Sequence, residues 1–185
     1  MTILLVLGGA RSGKSRYAES LAKGQKYYIA TGQAFDDEMG ARIAAHRAQR
    51  GGNWHTVEAP LQVVEALGDM DGKGRFILID CLTIWISNLM HRKSDVLAEI
   101  DKLCAALAKA KARVVIVSNE VGLGIVPDNA MARAFRDLQG FANQRVAQAA
   151  DEVVFIAAGL PLVLKKSGQA ANTGRKAKSS RSRKT

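Results

Sequence analysis

Aromatic residues are scarce in this 185-residue chain, at 5%. A core must therefore rest on Ala, Leu, Ile and Val, and a hydrophobic content of 48% supplies enough of them to exclude a globally disordered chain. There are only two cysteines, Cys81 and Cys104, both in apolar stretches, with no CxxC pair and no histidine cluster. That excludes a disulfide framework and a zinc site, and it fits a reducing cytoplasm. No apolar run approaches the roughly 18 residues of a membrane span. The opening MTILLVLGG lacks the basic region of a secretory signal. The length suits one well-filled domain rather than two.

Acidic residues are absent from 165–185, where eight Lys or Arg collect. Those eight account for most of the formal charge of +10, because the rest of the chain has 19 basic against 17 acidic residues. The expected organisation is a near-neutral catalytic domain over 1–164 and a basic, disordered tail over 165–185. Such a tail is read as a solvated extension; its alternative is contact with RNA or acidic lipid through counterion release.

Short apolar runs at 2–7, 26–30, 75–79, 113–117 and 152–157 read as strands, with a last one at 160–164. The runs are continuous rather than alternating, as in strands covered on both faces. Helices are expected at 15–22, 37–50, 61–67, 83–90, 96–111 and 129–149. The helix at 37–50 has an acidic first turn and a basic last turn, matching its macrodipole. In 129–149, Met131, Phe135, Leu138, Phe141, Val146 and Ala149 mark an apolar stripe. Alternating strands and helices predict an α/β fold with a mainly parallel sheet and helices on both faces.

The segment Gly8, Gly9, Ala10, Arg11, Ser12, Gly13, Lys14, Ser15 satisfies G-x-x-x-x-G-K-[ST] in full, with a strand before it and a helix after it. Its glycines allow backbone N–H groups to turn inward around phosphate oxygens, and the helix adds its positive end. Lys14 is expected on the β- and γ-phosphates of a purine nucleoside triphosphate, and the Ser15 hydroxyl on Mg²⁺. A second metal-side carboxylate usually ends a neighbouring strand. Asp80 is placed for that, its alternative being a cap on the next helix. Glu120 follows the next strand, and as a base, a substrate contact or a cap its role stays open.

Of three histidines, His55 and His91 read as surface residues. His46 sits on the 37–50 helix with Arg42 and Arg50 four residues either side. Neighbouring cations favour neutral imidazole, which is a nucleophile, and the same cations stabilise an attacked phosphate. From these residues alone, an exposed helix histidine is the alternative.

Several segments in order and spacing resemble one family: GGARSGKS at 8–15, YIATG at 28–32, DDEMGARIAAHRAQR at 36–50, WHTVEAP at 54–60, DCLTIWISNL at 80–89 and NEVGLGIVP at 119–127. FANQRVAQAADEV at 141–153 and GLPLVLK at 159–165 extend the likeness over about 1–165. The chain is similar to the bifunctional adenosylcobinamide kinase/adenosylcobinamide-phosphate guanylyltransferases of cobalamin biosynthesis. The resemblance implies a RecA-like P-loop fold, a homotrimer and two reactions. A nucleoside triphosphate, ATP or GTP, phosphorylates adenosylcobinamide. GMP then passes from GTP to the phosphate through a covalent GMP–histidine, which by position is His46. It also implies nucleotide contacts at residues 8–15, at Thr31, Gly32 and Gln33, at Arg47, Ala48, Gln49 and Arg50, at Glu58 and at Asp80. The competing readings are another P-loop small-molecule kinase and a RecA-like ATPase on nucleic acid; the near-neutral body and the lack of an aromatic platform argue against the second.

Overall fold

The computed structural model describes residues 2–33 and 53–168, together with residues 40, 41, 44 and 48. The described elements are β1 (Ile3–Gly8), α1 (Lys14–Ser20), β2 (Gln25–Ala30), β3 (Trp54–Glu58), α2 (Val63–Met70), β4 (Arg75–Asp80), α3 (Leu82–His91), α4 (Val96–Leu107), β5 (Arg113–Asn119), α5 (Ala130–Ala149), β6 (Glu152–Ala157) and β7 (Leu160–Lys165). Of the predicted helix at 37–50, the described residues Gly40, Ala41, Ala44 and Ala48 are helical.

The strands form one seven-stranded sheet in the order β3-β2-β4-β5-β1-β6-β7. Every pairing is parallel except β6 with β7. Period-two geometry divides each central strand between two cores. Ile3, Leu5 and Leu7 of β1 join Ile77, Ile79, Val114 and Ile116 beneath α2 to α5. Leu4 and Val6 join Phe76, Leu78, Val115 and Val117 on the side of α1. Both faces are covered, so both sets must be apolar, which explains the continuous runs.

Side chains set several boundaries. Asp95 caps α4 by accepting from Ala98 N at 3.1 Å, and Asn129 caps α5 by accepting from Ala132 N at 2.7 Å. The apolar pattern predicts a helix to 111, yet α4 stops at Leu107. Its last turns close as Lys109 N to Ala106 O and Ala110 N to Leu107 O. The Asp71 carboxylate then takes the N–H groups of Lys111 and Ala112, at 2.7 and 2.8 Å, and starts the chain into β5. β7 runs to Lys165, whose Nζ donates to the carbonyls of Ala147, Gln148 and Ala150 at the end of α5, where a cation suits the helix dipole.

Two expectations need correction. β3 lies outside the strands that apolar runs indicate, because four of its five residues are exposed on a sheet edge. It is anchored by Trp54, which meets Tyr28 and Phe76 edge-on at 6.0 Å between ring centroids. The stripe expected on α5 is right only in part, since Val146 is buried and Phe135 and Leu138 pack against the core. Its buried residues are Gln139, Ala142, Asn143 and Val146, whereas Met131, Phe141 and Ala149 are exposed. The polar pair is buried with its amide N–H groups and Asn143 Oδ1 bonded at the end of β5, while Gln139 Oε1 has no partner among the described residues. Ser118 Oγ donates to Asn143 Oδ1 at 2.7 Å, Gln139 Nε2 donates to both at 2.9 and 3.0 Å, and Asn143 Nδ2 donates to Asn119 O at 3.1 Å.

Among the described residues, no helix is long and apolar enough to cross a membrane.

Candidate active site

The carboxyl ends of the parallel strands bring the site together, as is usual for open α/β sheets. Gly8 ends β1, level with Asn119 of β5 on one side and Ile156 of β6 on the other. Its carbonyl accepts from Glu120 N at 3.1 Å. The chain then folds over itself: Ser12 N donates to Gly9 O at 3.3 Å, and Tyr17 N donates to Gly13 O at 3.0 Å as α1 begins. Gly13 stands at φ 95°, a left-handed conformation that glycine adopts at no steric cost, and Arg11 at φ 55°. A methyl group on Gly8 would lie 2.6 Å from Ser12 Oγ and 2.7 Å from Ile156 O, so the cradle closes only around a bare Cα. Ser12 Oγ is buried against that Cα with no protein partner.

Three further contacts shape the cradle. Lys14 Nζ donates to Gly9 O at 2.9 Å, which holds the ammonium across the loop. Burial lowers the Lys14 pKa below its ordinary value, against the opposing influence of Cys81 and Asp80 nearby. Ser15 is the second residue of α1, which has no side-chain cap at Gly13, so its first N–H groups are left facing the loop. The two-residue turn between β6 and β7, with Ala158 at φ 51° and Gly159 at φ 79°, backs the cradle by donating Gly159 N to Ser12 O at 2.9 Å.

Asp80 ends β4 in the row Glu58, Ala30, Asp80 across β3, β2 and β4. The N-cap of α3 is Cys81, without a side-chain bond, so Asp80 does not serve as the cap. Its Oδ2 accepts from the Tyr28 hydroxyl at 2.9 Å. Thr31 is fully buried. Its hydroxyl donates to Cys81 O at 2.9 Å and accepts from Cys81 N at 2.8 Å, while its backbone N donates to Asp80 O and its carbonyl accepts from Asn88 Nδ2. Every polar group of Thr31 is therefore engaged by the protein, and its part in the site is to hold the Asp80–Cys81 corner. Gly32 and Gln33 follow it half-buried, and Glu58 is exposed at the end of β3.

Ala48 is helical and exposed; His46, Arg47, Gln49 and Arg50 lie outside the described residues. His55 is exposed and stacks on Tyr27 at 5.2 Å, and His91 Nδ1 lies 2.8 Å from Ser87 O. Sequence reasoning missed Tyr28, Asn88 and Gly159. All three had a signal, Tyr28 within the YIATG segment, Asn88 within DCLTIWISNL and Gly159 within GLPLVLK. Glu120 Oε1 accepts from Gly122 N at 2.6 Å, a local turn at the start of the loop after β5.

A glycine-lined phosphate cradle between β1 and α1, flanked by strand-end carboxylates on a mostly parallel sheet, defines an α/β P-loop nucleotide-binding protein of RecA-like topology. A solved protein of Pyrococcus horikoshii OT3 shares this fold at a TM-score of 0.53 and 9% identity, over 92% of this chain and 91% of that one. Residues 4–164 match the family of cobinamide kinase / cobinamide phosphate guanyltransferase. The chain is 45% identical over 168 residues to the bifunctional adenosylcobalamin biosynthesis protein CobP of Pseudomonas aeruginosa, spanning 87% of this chain and 96% of the relative. It is 41% identical over 180 residues to the bifunctional adenosylcobalamin biosynthesis protein CobU of Escherichia coli K12, spanning 88% and 99%. The chain belongs to the cobinamide kinase / cobinamide phosphate guanyltransferase family, transferases of cobalamin biosynthesis.

Proposed function

We propose that this chain phosphorylates adenosylcobinamide with ATP or GTP and then transfers GMP from GTP to the new phosphate, releasing pyrophosphate and giving adenosylcobinamide-GDP. The observation that carries this reading is the closed phosphate cradle within a chain that matches the family over residues 4–164. In the first reaction the acceptor hydroxyl attacks the γ-phosphorus directly. In the second, the His46 ring nitrogen attacks the α-phosphorus of GTP, forming an N–P bond as the bridging P–O bond to pyrophosphate breaks. An oxygen of adenosylcobinamide phosphate then attacks the same phosphorus and frees the imidazole.

Residues 8–15 cradle the phosphates, and Lys14 stabilises charge on the transferring and leaving groups. Gly32, Gln33, Arg47, Ala48, Gln49, Arg50 and Glu58 complete the nucleotide site in this reading, with Thr31 contributing through the corner it holds. The Ser15 hydroxyl and the Asp80 carboxylate are hard oxygen donors of the kind Mg²⁺ takes, and they start α1 and end β4 at the same sheet edge. Mg²⁺, when bound there, neutralises phosphate charge.

The chemistry belongs to residues 1–164 and the basic residues beyond are outside it. The protein acts in the cytoplasm as a homotrimer; the exposed Leu160, Leu162 and Leu164 of edge strand β7 support burial against another copy.

The test uses the full chain with GTP labelled at the α-phosphate. The wild type takes up acid-labile label, and mass spectrometry places GMP on His46. His46→Ala loses labelling and guanylyl transfer but retains kinase activity. Lys14→Ala loses both activities by about two to four decades. Undiminished labelling of His46→Ala rejects the covalent route.

A further inference from the structure

The loop 121–127, Val-Gly-Leu-Gly-Ile-Val-Pro, carries no charged residue, yet it leaves large apolar side chains in water. Leu123 is 82% exposed, Ile125 98% and Val126 60%; Met131, in the first turn of α5, is 67% exposed. Both ends of the loop are fastened. At its start, Glu120 N donates to Gly8 O at 3.1 Å and Glu120 Oε1 accepts from Gly122 N at 2.6 Å. At its end, Arg133 Nη1 donates to Pro127 O at 3.0 Å and Asp128 O at 2.7 Å. An apolar stretch tied down at both ends and turned outward marks a binding surface.

The loop leaves the sheet beside the first glycine of the phosphate cradle, which puts its start at the same strand ends as the cradle. Resting on the reading above, we propose that loop 121–127 seats the corrin ring of the cobinamide acceptor. The ring is a wide apolar disc rimmed with neutral amides, and its reacting hydroxyl hangs on a short arm. An uncharged apolar platform suits the disc. A platform that follows directly on Glu120, whose N–H is bonded to Gly8 O, leaves the arm within reach of the phosphate to be transferred. The apolar strip of β7 also starts beside the cradle, after Gly159, but it is antiparallel to the rest and runs back along the sheet's outer edge, away from the strand ends that carry the site.

The test compares the full-length wild type with Leu123→Ser, Ile125→Ser and the double variant. Both positions are exposed, so unchanged melting temperatures establish intact folding. Cobinamide binding is measured by equilibrium dialysis and absorbance, KM for adenosylcobinamide and for the nucleotide by kinase assay, and mass by sedimentation. Each single variant is expected to raise the cobinamide Kd and KM by about tenfold. The nucleotide KM and the mass stay as in the wild type, and Ile125→Leu restores corrinoid affinity. A double variant with wild-type corrinoid affinity overturns the inference. So does a fall in mass with corrinoid affinity intact, which makes the loop a contact between copies of this chain. A wild type that turns cobinamide over while the variants behave identically refutes this inference alone. A wild type that neither binds nor phosphorylates cobinamide refutes the functional reading as well.

Discussion

Replacing Thr31 by Val tests the claim that this residue holds the site together from inside the protein. The shapes are nearly the same, so the change removes the hydroxyl alone. That hydroxyl makes two bonds, accepting from Cys81 N at 2.8 Å and donating to Cys81 O at 2.9 Å. The two losses are unequal. Cys81 O keeps a partner, because it also accepts from Trp85 N at 3.2 Å in the first turn of α3. Cys81 N loses its hydroxyl partner in a region where Thr31 is 0% and Cys81 8% exposed. A buried N–H without a partner costs about 1–3 kcal/mol, and the second bond contributes about 1 kcal/mol more. The added methyl returns up to roughly 0.8 kcal/mol.

The expected net loss is about 1–3 kcal/mol, a sizeable part of a typical total of about 5–15 kcal/mol. Urea unfolding followed by tryptophan fluorescence measures it, with Trp85, fully buried, as the principal reporter. In a chain of this size the melting temperature should fall by about 2–12 °C. Thr31→Ser keeps the hydroxyl and should cost about 1 kcal/mol. The reasoning fails if Thr31→Val costs less than about 1 kcal/mol, or if Thr31→Ser costs as much. It also fails if Thr31→Val weakens nucleotide binding without loss of stability, because Thr31 would then be a direct ligand contact.

Gly8→Ala forces a methyl against the backbone carbonyl of Ile156 at 2.7 Å, so the end of β1 must move. It should cost about 1–3 kcal/mol and shrink the thermal shift produced by nucleotide, whereas Gly9→Ala, with nothing within 4 Å, should leave the apo melting temperature in place. Burial, helped by Asp80, pushes the Cys81 thiol up to about 12 from 9.0. The unfolded chain therefore sheds this proton near pH 9 while the folded one keeps it, and stability from Cys81 falls as pH rises from about 9 to about 12. The loss approaches about 4 kcal/mol at the top of that window, and wild-type unfolding should be steeper with pH than that of Cys81→Ala; equal slopes refute it.

The phosphate cradle and most of the fold were legible in the residues because both are local codes. The motif at 8–15 contains its own geometry: Gly8 stands where a methyl would collide and Gly13 where φ is positive. The strands buried on both faces announce themselves as unbroken apolar runs. Asp80 was legible by position, as the first polar residue after such a run, and the structure removes its alternative as a helix cap by giving that place to Cys81. The edge strand β3 was not legible, since a strand paired on one side and exposed on the other has little need of apolar residues.

What the sequence determined by itself, then, is the kind of elements present and the chemistry of the loop after β1. Both depend on near neighbours in the chain: backbone sterics, a helix start and two-faced burial. Only the tertiary structure decided which face of α5 is inside, where Gln139 and Asn143 are buried while Phe141 is exposed. It alone decided that Thr31 serves the framework by binding Cys81, 50 residues away in the chain. Periodicity reports that a helix has an apolar side, but burial depends on what the opposite surface offers. Here the end of β5 offers a hydroxyl and a carbonyl, and a pair of amides fits there better than a ring.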